Sequence, residues 1–150
     1  MKKINFITAR KKLVLHWLVV SAVIFIIYFV EARIGRYGQH EGDVWEWLFK
    51  YLTPPLSLMI GVLIIQVSAQ SSDQEIDLFY FRLAMGMSYF FLVILFLSAF
   101  LVPIIHLQQN QNLIITEQKT IIKAFNTYNS ILLPLQGLTT LTLGIFFSKK

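Results

Sequence analysis

The stretch Leu78–Ile105, LFYFRLAMGMSYFFLVILFLSAFLVPII, limits what this chain can become. Between Arg82 and Pro103 its only ionisable side chain is that of the weakly acidic Tyr89. At about 1.5 Å rise per residue, about 20 helical residues cover the roughly 30 Å of hydrocarbon in a bilayer. A water-soluble domain of 150 residues has no core large enough to hide so long an apolar segment. The segment reads as a membrane-spanning helix.

The rest of the chain agrees. Apolar residues make up 56% of the sequence and charged residues 14%, where soluble domains carry about 25% charged residues. The length allows one domain. Four apolar runs, separated by polar segments, give spans at 13–30, 52–69, 80–105 and 129–147. The predicted fold is an all-α integral membrane protein with four transmembrane helices and one or two short interfacial amphipathic helices.

Leu13–Val30 exceeds the roughly 7–15 apolar residues of a signal-peptide core and ends in a poor cleavage site, so it is expected to be retained. In the connector that follows, Asp43 can cap a short helix with Val44, Trp45, Leu48, Phe49 and Leu52 on one face, an interfacial foot. Trp45, Trp47 and Tyr51 suit the headgroup boundary, where an aromatic ring has one end apolar and one wet. Arg82 can snorkel to the headgroups from the start of the third span. Pro54 and Pro55 then fall in the first turn of the second span, where a missing N–H costs little. Leu113–Asn126 is amphipathic, and reads as a second interfacial helix or as an extramembrane start to the last span. The short polar turn before the third span predicts that spans two and three are antiparallel neighbours. No sequence repeat relates the two halves.

Four spans place both termini on one side. Lys2, Lys3, Arg10, Lys11 and Lys12 precede the first span, and Lys149 and Lys150 close the chain. The positive-inside rule then predicts cytoplasmic N- and C-termini. Usage rich in Ile, Lys, Phe and Asn points to a bacterial inner membrane. The five basic residues of the head are candidate contacts for anionic lipid or a cytoplasmic protein partner. The net charge of +5 is held at the flanks of spans, not interleaved with aromatics on one folded face, so no direct contact with nucleic acid is expected.

Candidate chemistry is sparse. Pumps and coupled transporters carry ionisable groups within the hydrocarbon, and none of the four spans contains Asp, Glu, Lys or Arg if the third begins after Arg82. There is no cysteine, which excludes disulfide relays and thiolate metal sites. His16 and His106 fall at opposite ends of the spans, so they cannot clamp a haem between two helices. No nucleotide loop, nucleophile elbow or metalloprotease helix is present. No catalytic residue, cofactor or metal is predicted, and the chain does not read as an enzyme.

The organised feature is a pattern of small and hydroxylated residues inside the spans. Ser130, Gly137 and Gly144 recur every seven residues, with Thr140 between them. Ser57 and Gly61 are four apart, as are Ala84 and Ser88. Such residues let helix backbones approach closely in lipid, within one bundle or between copies. Gln66 and Gln136 add amides that could bond between helices or line a wet path. The expected function is an oligomeric pore, channel or membrane-perturbing effector. The alternative is a non-conducting accessory or anchor subunit that binds a cytoplasmic partner, of the kind found in prokaryotic defence or secretion systems.

Overall fold

The computed structural model describes residues 3–68, 75–109 and 117–148, with the side chains of 65–68, 102–109 and 117–124 left aside. The described chain is built from four long helices: α1 (Phe6–Arg33), α2 (Glu41–Ser68), α3 (Leu78–Gln109) and α4 (Glu117–Ser148). All four contain stretches long and apolar enough to cross a membrane. With 28 to 32 residues each, they run roughly 42–48 Å. That exceeds the hydrocarbon thickness, so polar turns extend from both ends of each apolar stretch.

The first three turns of α2 contain the expected interfacial foot. It is continuous with the second span, not a separate helix, because Glu41 and Asp43 favour the first turn and nothing breaks the helix before the prolines. Pro54 and Pro55 therefore lie inside α2, not in its first turn. Similarly, α4 runs unbroken from Glu117, so the amphipathic residues from 117 onward are an extension of the last span. α1 begins seven residues before Leu13, at Phe6, and takes up Arg10, Lys11 and Lys12 that had read as a separate head.

Two short strands, β1 (Lys3–Asn5) and β2 (Glu75–Asp77), pair antiparallel and precede α1 and α3. Each strand ends in a residue that caps the next helix. Asn5 Oδ1 accepts from the amides of Ile7 and Thr8, and Asp77 Oδ1 from that of Phe79. Ile4, Asn5 and Arg10 stand in the same relation to β1 and α1 as Ile76, Asp77 and Arg82 to β2 and α3. The strand register, with Ile4 facing Ile76 and the flanking pairs exchanged, matches a local two-fold. A short repeat that was not legible in the apolar runs is thus present at the helix starts.

Within the helices the match slips by one residue, and what recurs is the spacing of the buried positions. Leu13, Trp17, Ser21, Ile24 and Tyr28 on α1 are buried at the same spacing as Ala84, Ser88, Leu92, Leu95 and Ala99 on α3. Trp17 Nε1 donates to Ser88 Oγ (2.8 Å), and Tyr28 OH lies 2.9 Å from Ser98 Oγ. The partners advance together along both chains, so α1 and α3 are parallel. Each serine gives its own proton to a carbonyl of α3, Ala84 or Leu95, so each accepts from the aromatic donor. The small residues of α3 therefore form the holes that receive the large side chains of α1.

The interfaces run α1–α3–α4–α2 and back to α1 around the bundle. Spans two and three are thus not the neighbours expected from the short turn between them: α3 lies between α1 and α4. Side-chain bonds and the strand pair tie α1 to α3, whereas a connector joins only helix ends. α1 closes on α2 through rings, with Phe25 5.1 Å from Trp45 and 6.3 Å from Phe49. At the turn after α1, the Arg36 amide reaches the Glu31 carbonyl (3.1 Å) and that of Gly35 the Ala32 carbonyl (2.9 Å), a Schellman ending with Gly35 at φ +80°.

At most 39% of each apolar window is buried inside the bundle. Leu15, Phe79, Phe90, Ile64 and Leu141 are among the large apolar side chains left exposed.

Three substitutions test this account in detergent-solubilised protein titrated with denaturant. Trp17→Phe should lose about 1 kcal/mol with its hydrogen bond, Ser88→Leu about 1–3 kcal/mol by overfilling the hole, and Gly35→Ala about 1–2 kcal/mol at its left-handed position. Unchanged unfolding midpoints in all three would contradict it.

Candidate functional site

Proline has no amide hydrogen, so Pro54 and Pro55 leave the carbonyls of Lys50 and Tyr51, four residues back, without their helical donors. In an apolar setting an unpaired carbonyl is costly. α4 supplies the missing donors. Gln136 Nε2 lies 3.0 Å from Lys50 O and 3.4 Å from Tyr51 O, one amide with two hydrogens facing both carbonyls. Pro134 lies within α4 two residues earlier.

Toward the start of these helices, about two turns along α4, lies a second polar knot. Asn129 Oδ1 accepts from Trp47 Nε1 (2.7 Å) and from Tyr51 OH. Two donors on its oxygen fix the amide, whose Nδ2 then donates to Asn126 Oδ1 (3.0 Å). Asn126 is left with its own Nδ2 hydrogens toward the surface. Trp47 packs on Phe125 with ring centroids 4.7 Å apart. Since the Asn129 and Gln136 contacts advance along both helices, α2 and α4 are parallel, like α1 and α3.

Beside this knot is a cleft of about 220 Å³ lined by Asp43, Glu46, Trp47, Lys50, Phe125 and Asn126 among others. His40 Nδ1 lies 2.9 Å from Asp43 Oδ2. At the same end of the bundle, Glu31 is buried and pairs with Arg36 at 2.7 Å. Tyr37 is buried too, and burial together with the Glu31 carboxylate pushes its phenol well above the usual range.

The candidate residues thus divide. Trp47 and Tyr51, expected at the headgroups, turn inward and bond to Asn129 of α4. Trp45 is half-buried, its indole 3.3 Å from Glu41, and keeps an outer edge. Gln136, a candidate lining residue, repairs α2. Ser88 packs against α1. Ser57, Ser130 and Gly137 are exposed, and Gly61, Gly144 and Thr140 half-buried. A Cβ on Gly61, Gly137 or Gly144 would meet nothing within 4 Å, so none marks a close approach inside this bundle. The Gln66 side chain lies outside the described residues.

At the opposite end, Lys3 pairs with Glu75 at 3.1 Å across the strands. Arg10 donates to the Phe147 carbonyl and stacks 3.6 Å from the centroid of Phe6, tying the start of α1 to the end of α4. Of the five basic residues of the head, Lys3 and Arg10 thus make contacts within the chain. Lys11 and Lys12 remain exposed, Lys2 lies outside the described residues, and Arg82 is exposed with Asp77 engaged in capping.

Asn129, Trp17 and Tyr28 were not among the candidates. Two consecutive prolines were the available signal, since they demand a donor for two carbonyls. Among the described residues no three of His, Asp or Glu converge as metal ligands.

Gln136→Leu should lower stability by about 1–3 kcal/mol, the cost of leaving acceptors unpaired, while Gln136→Asn, one methylene shorter, should recover little. Thermal unfolding in detergent measures both; a neutral Gln136→Leu would remove Gln136 from this role.

No family model, no curated protein and no solved structure matches the chain, so its function is read from geometry alone.

Proposed function

We propose that the protein is a four-span integral membrane protein of a bacterial inner membrane, with cytoplasmic termini, acting as a non-conducting accessory or anchor subunit. The observation that carries this reading is the closed interior. Trp17, Tyr28, Tyr51, Phe91, Leu95 and Leu132 are essentially inaccessible at its centre. Ser88, Ser98, Asn129 and Gln136 are bonded to neighbouring helices, and the unbonded hydroxyls of Ser21, Thr139 and Thr140 are enclosed by the bundle. Among the described residues, the interior of a single copy is closed by these side chains.

The exposed apolar side chains support insertion, since about two thirds of each apolar window needs a cover that lipid supplies. Basic residues at the strand end, with Lys11 and Lys12 exposed, support cytoplasmic termini and give a partner a charged handle.

A second reading is assembly of several copies around a pore. What favours it is the outward position of Ser130 and Gly137, with Thr140 and Gly144 half-exposed.

Reconstitution in liposomes at graded protein-to-lipid ratios separates the two. The accessory reading expects release of ions and small dyes no greater than from empty vesicles at any ratio. Release rising more steeply than protein content would overturn it in favour of an assembled pore.

A further inference from the structure

The geometry points to the cleft between α2 and α4 as a seat for a phosphoethanolamine group, an ammonium and a phosphate joined by a short chain. The inference rests on the membrane reading only for the source of that group, the headgroup of a phospholipid.

The walls carry both signs of charge without neutralising each other. Glu46 and Lys50 are one turn apart on α2 and both line the cleft, and no ion pair joins them. Lys50 approaches the Tyr51 ring instead, 5.7 Å from its centroid. Asp43 adds a second carboxylate, with one oxygen beside His40. Separate acidic and basic groups in one small cleft match a zwitterion better than a simple cation or anion.

The hydrogen-bond relay adds direction. Trp47 and Tyr51 fix Asn129, Asn129 fixes Asn126, and Asn126 is left offering N–H donors at the cleft. Those donors and the Lys50 ammonium suit a phosphate. Glu46 and Asp43, with the Trp47 and Phe125 rings behind them, suit an ammonium.

Depth supplies the lipid. On α2 the charged residues of the cleft, Asp43, Glu46 and Lys50, come directly before the long uncharged run that follows Lys50. In an inserted protein the cleft lies where zwitterionic headgroups are concentrated, with acyl chains free to follow the exposed apolar surface below.

Native mass spectrometry of the full chain in detergent, with equal amounts of phosphatidylethanolamine, phosphatidylcholine and phosphatidylglycerol, tests the assignment. Phosphatidylethanolamine should be retained preferentially, and Glu46→Gln and Lys50→Met should each reduce its retention about tenfold, as loss of one charge-assisted contact implies. Free phosphoethanolamine should compete with it. Equal retention of the three lipids, or retention unchanged in both variants, would overturn the proposal. So would binding of free phosphoethanolamine without any of the lipid, which would leave a soluble ligand as the occupant. Alkaline extraction of cell membranes reads the other premise separately: release of the chain would sink insertion, while the free-phosphoethanolamine titration would still decide whether the cleft binds the group.

Discussion

The carbonyls of Lys50 and Tyr51 have no amide partner in α2, because the residues four positions on are both proline, and the Gln136 amide faces them from α4. Water would repair such a break on a soluble helix. Among apolar side chains the repair has to come from protein. A helix containing Pro54 and Pro55 is therefore committed to a neighbour with a two-proton donor at that depth. The same demand fixes the rotation of α4 about its axis, and with it the inward position of Asn129. Trp47 and Tyr51 follow, because Asn129 gives their polar tips an acceptor within the bundle.

The other parallel pair is held by a different arrangement of the same kind. Trp17 and Tyr28 each carry a donor on a large apolar body, and each meets a serine among small residues on α3. Size complementarity brings the helices together, since hydrophobicity supplies no attraction between helices already in lipid, and hydrogen bonds set the register. Antiparallel neighbours rely more on rings, as at Phe25 with Trp45 and Phe81 with Phe146. Polar bonds link like-directed helices that no short turn could connect, and apolar contacts link the helices that are consecutive within each half.

The two ends are built from different material. The strand end joins the starts of α1 and α3 through backbone pairing, and Arg10 reaches across to the end of α4. Its charge is mostly basic. The other end holds the buried Glu31 paired with an exposed Arg36, an aromatic group around Tyr37 and Phe125, and the mixed charges of the cleft. Among the described residues, the charged side chains are gathered at these two ends.

Four apolar helices, their approximate extents, the basic head and the lack of ionisable groups within the spans were determined by the sequence alone. Each follows from composition along the chain: length against bilayer thickness, and charge against the cost of burying it. The roles of the polar residues inside the spans were not. Gln136 read equally as a pore-lining group or a helix contact, and Trp47 and Tyr51 read as headgroup anchors. The same side chain suits lipid, lumen or neighbour according to which way its helix faces. That direction is set by what lies opposite, the carbonyls freed by Pro54 and Pro55, the amide of Asn129 and the small residues of α3. Helix order was likewise decided only in three dimensions, because a short connector constrains where two ends meet, whereas side-chain fit along the full length chooses the neighbour.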